Sequence, residues 1–403
     1  MTLIECFDRS PLENVVGALS LNPDRLIFIG REEQIEKARP KYQDFFTKKG
    51  LKTQVFTQKL DQSDLNEMVQ VLTDLVRAEG ECLFDVTGGD DQVVMAVGAV
   101  FASLKYSHPV KVQRFDIHTG APLDCDGDGV TLPARPAAVS VSDLVELYDG
   151  AVVVSRQEIN LDPPRIDALW NVVISDPRAW NREMAALYEF ESRNATPHEI
   201  YLQPHWFSHE IADYGVKKAR YENMLSKLER HGLIDNRSYQ NTVRYSYVDP
   251  EVRRWLSKAG NVLELKTYKE ARSLQQEGKP YFDDCQIGVL VDWDGVILNG
   301  PPSRETRNEV DVVLTRGLIP LFVSCKNGGV DERELYKLST VAHRFGGPYA
   351  KMMLIATDFE PGSDSTDSAF IRRAAEMGIY VVADGAQLDA AGWEQAFKRA
   401  MEQ

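Results

Sequence analysis

The sequence lacks the features that mark several common protein classes. Its five cysteines include no CxxC pair and cannot all form disulfides, which excludes a standard zinc site and indicates reduced thiols. No run of 18 or more apolar residues occurs, and the start of the chain, from Met1 to Asp8, has the pattern of a strand rather than of a signal peptide. We therefore expect a cytoplasmic protein without membrane spans.

Positive charge is also scarce. The chain has 46 Lys and Arg against 61 Asp and Glu, a net charge of −15, which argues against a protein that wraps nucleic acid over its whole surface. No GxGxxG motif follows the first predicted strand, so an ordinary dinucleotide cofactor is disfavoured. At 403 residues the chain is longer than one hydrophobic core usually organises, and we expect two or three domains.

The first part of the chain alternates predicted strands and helices. Short apolar runs predict strands at Leu3–Phe7, Leu26–Ile29, Gln54–Thr57 and Cys82–Val86. Amphipathic runs predict helices from Pro11 to Leu19, from Ile35 to Lys48, from Ser63 to Ala78, and from after Asp91 to Leu104, with Ser10 as the N-cap of the first. This alternation indicates an α/β fold with a doubly wound parallel sheet.

Two loops follow predicted strands of that sheet. Asp8-Arg9-Ser10-Pro11 follows the first strand, and Thr87-Gly88-Gly89-Asp90 follows the fourth. Ligands of such sheets bind beyond the carboxyl ends of the strands, where helix N-termini present free N–H groups. Both loops could receive phosphate groups or ribose hydroxyls, although the glycine pair could equally form only a tight turn.

The middle of the chain has a different pattern. A predicted helix from Ala219 to Arg230 precedes a predicted strand from Thr242 to Tyr247, an arrangement that resembles a winged helix-turn-helix. Basic residues near the helix and on the wing could contact phosphates, namely Lys217, Lys218, Arg220, Arg237 and Arg244. The nearly balanced charge of this region instead favours a spacer or a dimerisation element.

The segment from Asn308 to Lys326 has the pattern of a hydrolytic site. Alternation places Glu309 and Asp311 on one face of a strand, and Ser324 and Lys326 on one face of the next. Carboxylates suit Mg²⁺ or Mn²⁺, and a nearby lysine can orient an attacking water or stabilise a phosphoryl transition state. The pattern predicts phosphodiester hydrolysis.

Two further acidic residues precede this segment. Glu264 lies in a predicted helix from Asn261 to Gln276, and Asp294 closes a predicted strand from Ile287 to Trp293. Helix glutamate, strand carboxylates and terminal lysine, in that order, resemble the PD-(D/E)xK restriction-endonuclease-like fold. The whole chain resembles the CARF-domain effector nucleases that accompany type III CRISPR systems.

The resemblance implies three domains and a ligand-activated nuclease. The domains are a Rossmann-like CARF sensor over 1–155, a winged-helix-like linker over 156–258 and a nuclease domain over 259–403. In that family a sensor homodimer binds a cyclic oligoadenylate, commonly cyclic tetra-adenylate, and this activates divalent-metal-dependent cleavage of DNA or RNA in antiviral defence.

The resemblance also implies site residues. At the ligand it implies Asp8, Arg9, Ser10, Pro11, Thr87, Gly88, Gly89 and Asp90. At the nuclease centre it implies Glu264, Asp294, Glu309, Asp311, Ser324 and Lys326, with the metal at Asp294, Glu309 and Asp311. Ser324 departs from the broader nuclease pattern, which has a second acidic residue there, and this leaves the metal count open.

Two other functions remain open from the sequence. The run Val289–Val296 matches the DxDG signature of haloacid-dehalogenase-like phosphatases, with Asp292 as nucleophile and Asp294 as general acid. The second alternative function is a ligand-responsive winged-helix regulator with an inactive C-terminal domain. Its best support is Ser324, which stands where the broader nuclease pattern has an acidic residue.

Overall fold

The computed structural model describes the chain except residues 126, 128, 155–160, 193–206, 211–214, 240–241, 298–306 and 358–363. It divides into two compact units, the first made of 1–149, 315–319 and 347–349, and the second of 150–314, 320–346 and 350–403. The predicted α/β class is confirmed. In the described ranges no helix is long and apolar enough to cross a membrane.

The first unit contains a six-stranded sheet. Its strands are β1 (Thr2–Cys6), β2 (Arg25–Gly30), β3 (Gln54–Lys59), β4 (Cys82–Asp85), β5 (Val110–Phe115) and β6 (Pro122–Asp124). The order is β3-β2-β1-β4-β5-β6, and all neighbours are parallel except β5 and β6. Because the order reverses between β1 and β4, the loops after these two strands lie at the switch point where such sheets bind ligands.

The α-helices in the described part of the first unit are α1 (Glu13–Leu21), α2 (Glu32–Lys48), α3 (Leu65–Glu79), α4 (Asp91–Leu104) and α5 (Val141–Leu147). The predicted start of the first helix at Pro11, with Ser10 as N-cap, is wrong. The helix begins at Glu13 after Leu12, which provides no side-chain cap. Ser10 instead donates its N–H to Asp8 Oδ1 at 2.8 Å, so an aspartate-closed turn occupies the place of the expected first helical turn.

A second six-stranded sheet lies in the second unit. Its strands are β7 (Ala151–Val154), β13 (Asp284–Asp292), β14 (Arg307–Arg316), β15 (Ile319–Lys326), β16 (Lys351–Ala356) and β17 (Ile379–Val382), in the order β17-β16-β15-β14-β13-β7. The strands β15, β16 and β17 are parallel, and β7 is antiparallel to β13. A two-residue strand pair, β11 (Gln275–Gln276) and β12 (Lys279–Pro280), forms a separate hairpin.

Helices and a small antiparallel sheet complete the second unit. The helices are α6 (Pro163–Ser175), α7 (Pro177–Ser192), α8 (Gly215–Arg230), α9 (Pro250–Trp255), α10 (Asn261–Ser273), α11 (Glu332–Gly346), α12 (Asp364–Glu376) and α13 (Ala390–Glu402). The small sheet has the order β8-β10-β9, with β8 (Phe207–Glu210), β9 (Ile234–Tyr239) and β10 (Thr242–Tyr247).

The small sheet is tied to α7 by a buried acid. Glu191 accepts hydrogen bonds from the hydroxyls of Tyr245 and Tyr247, at 2.6 and 2.7 Å, and forms an ion pair with Arg253. The predicted helix and strand of a winged-helix-like region are present as α8 and β10. The side chains of Lys217, Arg237 and Arg244 lie outside the described residues, and the division into three domains stays a prediction.

Candidate active site and ligand-binding loops

A tight hairpin brings the acidic and basic residues of the Asn308–Lys326 segment together. The strands β14 and β15 are neighbours, joined through Gly317 at φ +59°, a backbone angle that favours glycine. This pairing places Asp311 beside the end of β15, where its Oδ2 lies 3.6 Å from Lys326 Nζ. The predicted proximity of Asp311 and Lys326 is therefore present.

Asp311 is held by its neighbours through one oxygen. Its Oδ2 accepts the Cys325 N–H at 2.7 Å and the Ser324 hydroxyl at 3.4 Å, besides facing Lys326. Burial raises the pKa of Asp311, although Lys326 and the Cys325 N–H favour its ionised form. Because these three contacts converge on Oδ2, Oδ1 is the oxygen better placed to coordinate a metal.

Lys326 has a second acidic partner that the sequence analysis missed. Glu334, in the first turn of α11, places Oε2 3.2 Å from Lys326 Nζ, and its Oε1 is 2.6 Å from Lys337 Nζ. Burial opposes the charged form of Lys326, but Asp311 and Glu334 outweigh it and raise its pKa. No motif in the sequence distinguishes Glu334 or Lys337.

These side chains surround one small cavity. It has a volume of about 90 Å³, and its polar lining comes from Asn308, Glu309, Asp311, Ser324, Lys326, Glu334 and Lys337. Four of the six predicted nuclease residues, Glu309, Asp311, Ser324 and Lys326, therefore meet at one place. The cavity combines acidic oxygens with two ammonium groups, which is the chemistry that a metal-assisted reaction of a phosphate needs.

The other two predicted nuclease residues lie elsewhere. Asp294 is exposed in the turn after β13, where its Oδ1 accepts the Val296 N–H at 3.0 Å, and it does not line the cavity. Glu264 does not line the cavity, and the pKa of the Cys325 thiol is raised by burial, by Asp311 and by Glu264. Within the described residues no three His, Cys, Asp or Glu side chains form a metal-binding group, so the predicted triad of Asp294, Glu309 and Asp311 is not assembled.

Asp292 has a structural role that argues against a phosphatase. Its side chain is buried, and Oδ1 accepts the N–H groups of Asp294 and Gly295 at 3.2 and 3.1 Å. Its Oδ2 lies 3.9 Å from Arg307 Nε. A phosphatase nucleophile must be free to attack, whereas this carboxylate closes its own turn.

In the first unit, Asp8 connects the two predicted ligand loops. Its Oδ1 accepts the Ser10 N–H and its Oδ2 accepts the Gly89 N–H, each at 2.8 Å. Asn14, fully buried in α1, accepts the Asp8 N–H and donates to the Asp8 carbonyl. Asp8 therefore shapes the loops, since its carboxylate is already occupied by backbone donors.

Both glycines of the second loop are required by close contacts. A Cβ on Gly88 would lie 2.6 Å from Glu13 Oε2 and 2.7 Å from Asp8 Cβ. Gly89 has φ +106°, and a Cβ there would lie 2.5 Å from Cys6 Cβ. Gly88 therefore approaches Asp8 of the first loop, and Gly89 approaches the end of β1, at distances that only glycine permits.

Thr87 and Asp90 are also engaged in local structure. Thr87 donates its N–H to Asp85 Oδ1 at 2.9 Å, and its hydroxyl also bonds Asp85 and accepts the Phe115 N–H. Asp90 is the N-cap of α4 and accepts the Gln92 N–H at 3.1 Å. Pro11 is buried in the turn before α1. These residues form the loops, and their contacts leave a ligand role as a prediction.

A buried acid pair lies directly before the two loops. Glu5 on β1 and Asp85 on β4 are register partners, and both are fully buried. Burial, followed by the charge of Asp85, raises the pKa of Glu5 well above its usual value, and burial raises that of Asp85 to about 6. Both carboxyl oxygens of Glu5 and Oδ2 of Asp85 are buried without a hydrogen-bond partner.

A polar cavity of about 220 Å³ lies beside the loops. Its lining includes Asp8, Arg9, Gly89 and Asp90 of the predicted site, together with four residues that the sequence analysis did not select, namely Gly30, Arg31, Gln34 and Gln62. Arg31 immediately precedes α2, and its Nε donates to Gln62 Oε1. Arg9 and Arg31 give this cavity two cationic groups, and the position of Arg31 after β2 was the available signal.

Comparisons with known proteins show the fold. No family model and no curated protein matches the chain. Protein VC1899 from Vibrio cholerae has a TM-score of 0.72 and 18% identity, over 100% of this chain and 97% of its own. Can2 from Sulfobacillus thermosulfidooxidans, solved in complex with cyclic tetra-adenylate, has a TM-score of 0.67 and 13% identity, over 99% of both chains. The chain therefore shares its fold with these proteins over nearly its whole length.

Proposed function

We propose that this protein is a nuclease activated by a cyclic oligoadenylate and that it acts in type III CRISPR antiviral defence. The first unit would bind the activator, with cyclic tetra-adenylate as the best candidate, and the second unit would hydrolyse phosphodiester bonds of DNA, RNA or both. The observation that carries the nuclease assignment is the cavity in which Glu309, Asp311 and Lys326 meet.

The cavity fits a divalent cation bound by two carboxylates. Mg²⁺ is commonly held by one or two carboxylates together with waters and substrate phosphates, so Glu309 and Asp311 suffice without Asp294. Asp311 fits this role because its hydrogen bonds converge on Oδ2. Bound Mg²⁺ or Mn²⁺ would supply Lewis-acid activation of the phosphate and of a water.

Lys326 would act on the substrate directly, whereas Ser324 would act through Asp311. The ammonium of Lys326 carries a positive charge beside Asp311 and is positioned to hold the attacking water or a non-bridging phosphate oxygen. The Ser324 hydroxyl, on the same face of β15, takes the place of a second acidic residue and keeps the Asp311 carboxylate oriented. Lys337 adds a more exposed cation at the cavity for a flanking phosphate.

The sensor proposal is supported by the ligand of Can2 and by the loops. Can2 binds cyclic tetra-adenylate and shares this fold. In the cavity beside the loops, Arg9 and Arg31 would bind phosphates, and Gln34 and Gln62 would form hydrogen bonds with ribose or base. A cyclic ligand with a twofold axis fits a symmetric homodimer, and we expect such a dimer in the cytoplasm.

Cleavage assays test both halves of the proposal. Plasmid DNA, single-stranded DNA and RNA are incubated with Mg²⁺ or Mn²⁺, with cyclic tetra-adenylate or with linear tetra-adenylate as the matched control. We expect cleavage only with the cyclic ligand, and its loss in Asp311→Asn without loss of ligand binding. Absence of cleavage under every condition would contradict the nuclease function, and sequence-specific duplex binding that survives Asp311→Asn would favour a regulator.

A further inference from the structure

We propose that Glu334 is a positioning residue that holds Lys326 at the scissile phosphate, an inference that rests on the nuclease function proposed above. Glu334 lies outside every motif found in the sequence. Its Oε2 is 3.2 Å from Lys326 Nζ, and its Oε1 is 2.6 Å from Lys337 Nζ. One carboxylate of α11 therefore contacts both lysines that line the cavity.

Asp311 is poorly suited to hold the lysine alone. Its Oδ2 is 3.6 Å from Lys326 Nζ, farther than Glu334, and the same oxygen accepts the Cys325 N–H. A carboxylate that coordinates a cation gives up part of its attraction for a neighbouring ammonium, because the two cations compete for the same negative charge. An anchor outside the metal-binding pair keeps Lys326 in place when Asp311 is engaged.

Glu334 has the fixed position that an anchor needs. Its side chain is 24% exposed, and α11 is held by buried Leu335, Leu338 and Phe345. Lys326 is 29% exposed, whereas Lys337 is 67% exposed. A lysine side chain has a large rotamer entropy, so a partner on a packed helix restricts Lys326 in a way that solvent would not.

Three substitutions separate this role from a general effect on the helix. Glu334→Gln keeps the size of the side chain and removes its charge, and we expect kcat to fall about 10- to 100-fold with little change in the KM for nucleic acid. Glu334→Asp keeps the charge on a shorter side chain and should restore part of kcat. Glu332→Gln removes a charge from the same helical turn, so it controls for the helix dipole, and it should cleave like the wild type.

A second readout does not depend on cleavage. The metal-free protein is treated at fixed pH with an amine-acylating succinimidyl ester, and the modified peptides are quantified by mass spectrometry. Loss of the Glu334 charge should make Lys326 react several-fold faster than in the wild type or in Glu332→Gln. Lys351, at the start of β16, should react equally in all variants.

The outcomes distinguish this inference from the function on which it rests. Reduced kcat and faster Lys326 acylation in Glu334→Gln, with partial recovery in Glu334→Asp, support the positioning role. Cleavage by the wild type together with an unaffected Glu334→Gln overturns that role and leaves the nuclease function intact. Absence of cleavage by the wild type overturns the nuclease function and the role together, whatever the acylation rates.

Discussion

Both units have acidic side chains on central strands, fully buried at Glu5 and Asp85 in the first unit and half-buried beside a lysine at Asp311 in the second. Glu5 and Asp85 in the first unit face each other, and burial raises the pKa of both. Asp311 in the second unit lies beside Lys326, which favours its ionised form. Burial therefore raises the pKa of acids in both units, and in the second unit Lys326 opposes that effect.

The difference matches the ligands that we propose for the two units. A cyclic oligoadenylate is a polyanion, and an acid that retains its proton, as the raised pKa of Glu5 favours, repels it less. A metal centre needs ionised carboxylates, and a lysine nearby stabilises them until the metal binds. Asp8 also lies in the first unit, and its carboxylate already accepts the N–H groups of Ser10 and Gly89.

Removal of the lysine should produce the largest effect. Lys326→Met deletes the ammonium beside Asp311, and we expect the cleavage rate to fall about 10²- to 10⁴-fold, the range for a group that assists proton transfer. Affinity for cyclic tetra-adenylate should not change, because the substituted residue lies in the second unit. Cleavage and ligand titration measure the two effects. Lys351→Met is the control, and equal cleavage by both variants would contradict the role of Lys326.

Removal of one carboxyl from the first unit should change how stability depends on pH. The folded-state pKa of Asp85 is raised to about 6 from 3.8, so its contribution to stability is present below pH 4 and is lost as pH rises through 6. Asp85→Asn removes this loss and lets the amide donate to Glu5. The variant should therefore gain on the order of 3 kcal/mol relative to the wild type between pH 4 and pH 7.5.

Thermal unfolding at the two pH values measures this gain. The exposed Asp91→Asn controls for the loss of one negative charge. If the difference in stability between the wild type and Asp85→Asn is the same at both pH values, the acid pair does not titrate in this range.

Two glycines of neighbouring sequence should respond in opposite directions. Gly89→Ala places a Cβ 2.5 Å from Cys6 Cβ at φ +106°, and we expect a loss of about 1 to 3 kcal/mol. Gly98→Ala, within α4, meets nothing within 4 Å and should stabilise the protein by about 0.5 to 1 kcal/mol. Thermal unfolding measures both, and an equal loss in the two variants would refute the close approach of Gly89 to Cys6.

Periodicity predicted most of the fold because it reflects the faces that each element buries. The structure has β1, β2, β4 and the hairpin of β14 and β15 close to their predicted positions. It also brings Asp311 and Lys326 together, as the alternation of side chains predicted. The start of α1 was wrong because a local aspartate turn competes with the helix, which propensity does not detect. Glu334 was missed because contacts between a helix and a strand depend on packing and carry no spacing signal.

The smallest expected effect concerns the polar cavity of the first unit. Arg31→Gln removes an exposed cation from its lining, and an exposed ion pair contributes under about 1 kcal/mol, so the affinity for cyclic tetra-adenylate should fall about two- to fivefold. The difference should shrink at high salt, because screening weakens exposed charges. Lys37→Gln, at an exposed position of α2, the helix that follows Arg31, is the control for net charge. Calorimetric titration at low and high salt measures the affinity of both variants. If Arg31→Gln and Lys37→Gln bind cyclic tetra-adenylate equally well at low salt, Arg31 does not contact the ligand, and the proposed site is limited to the two loops and their glycines.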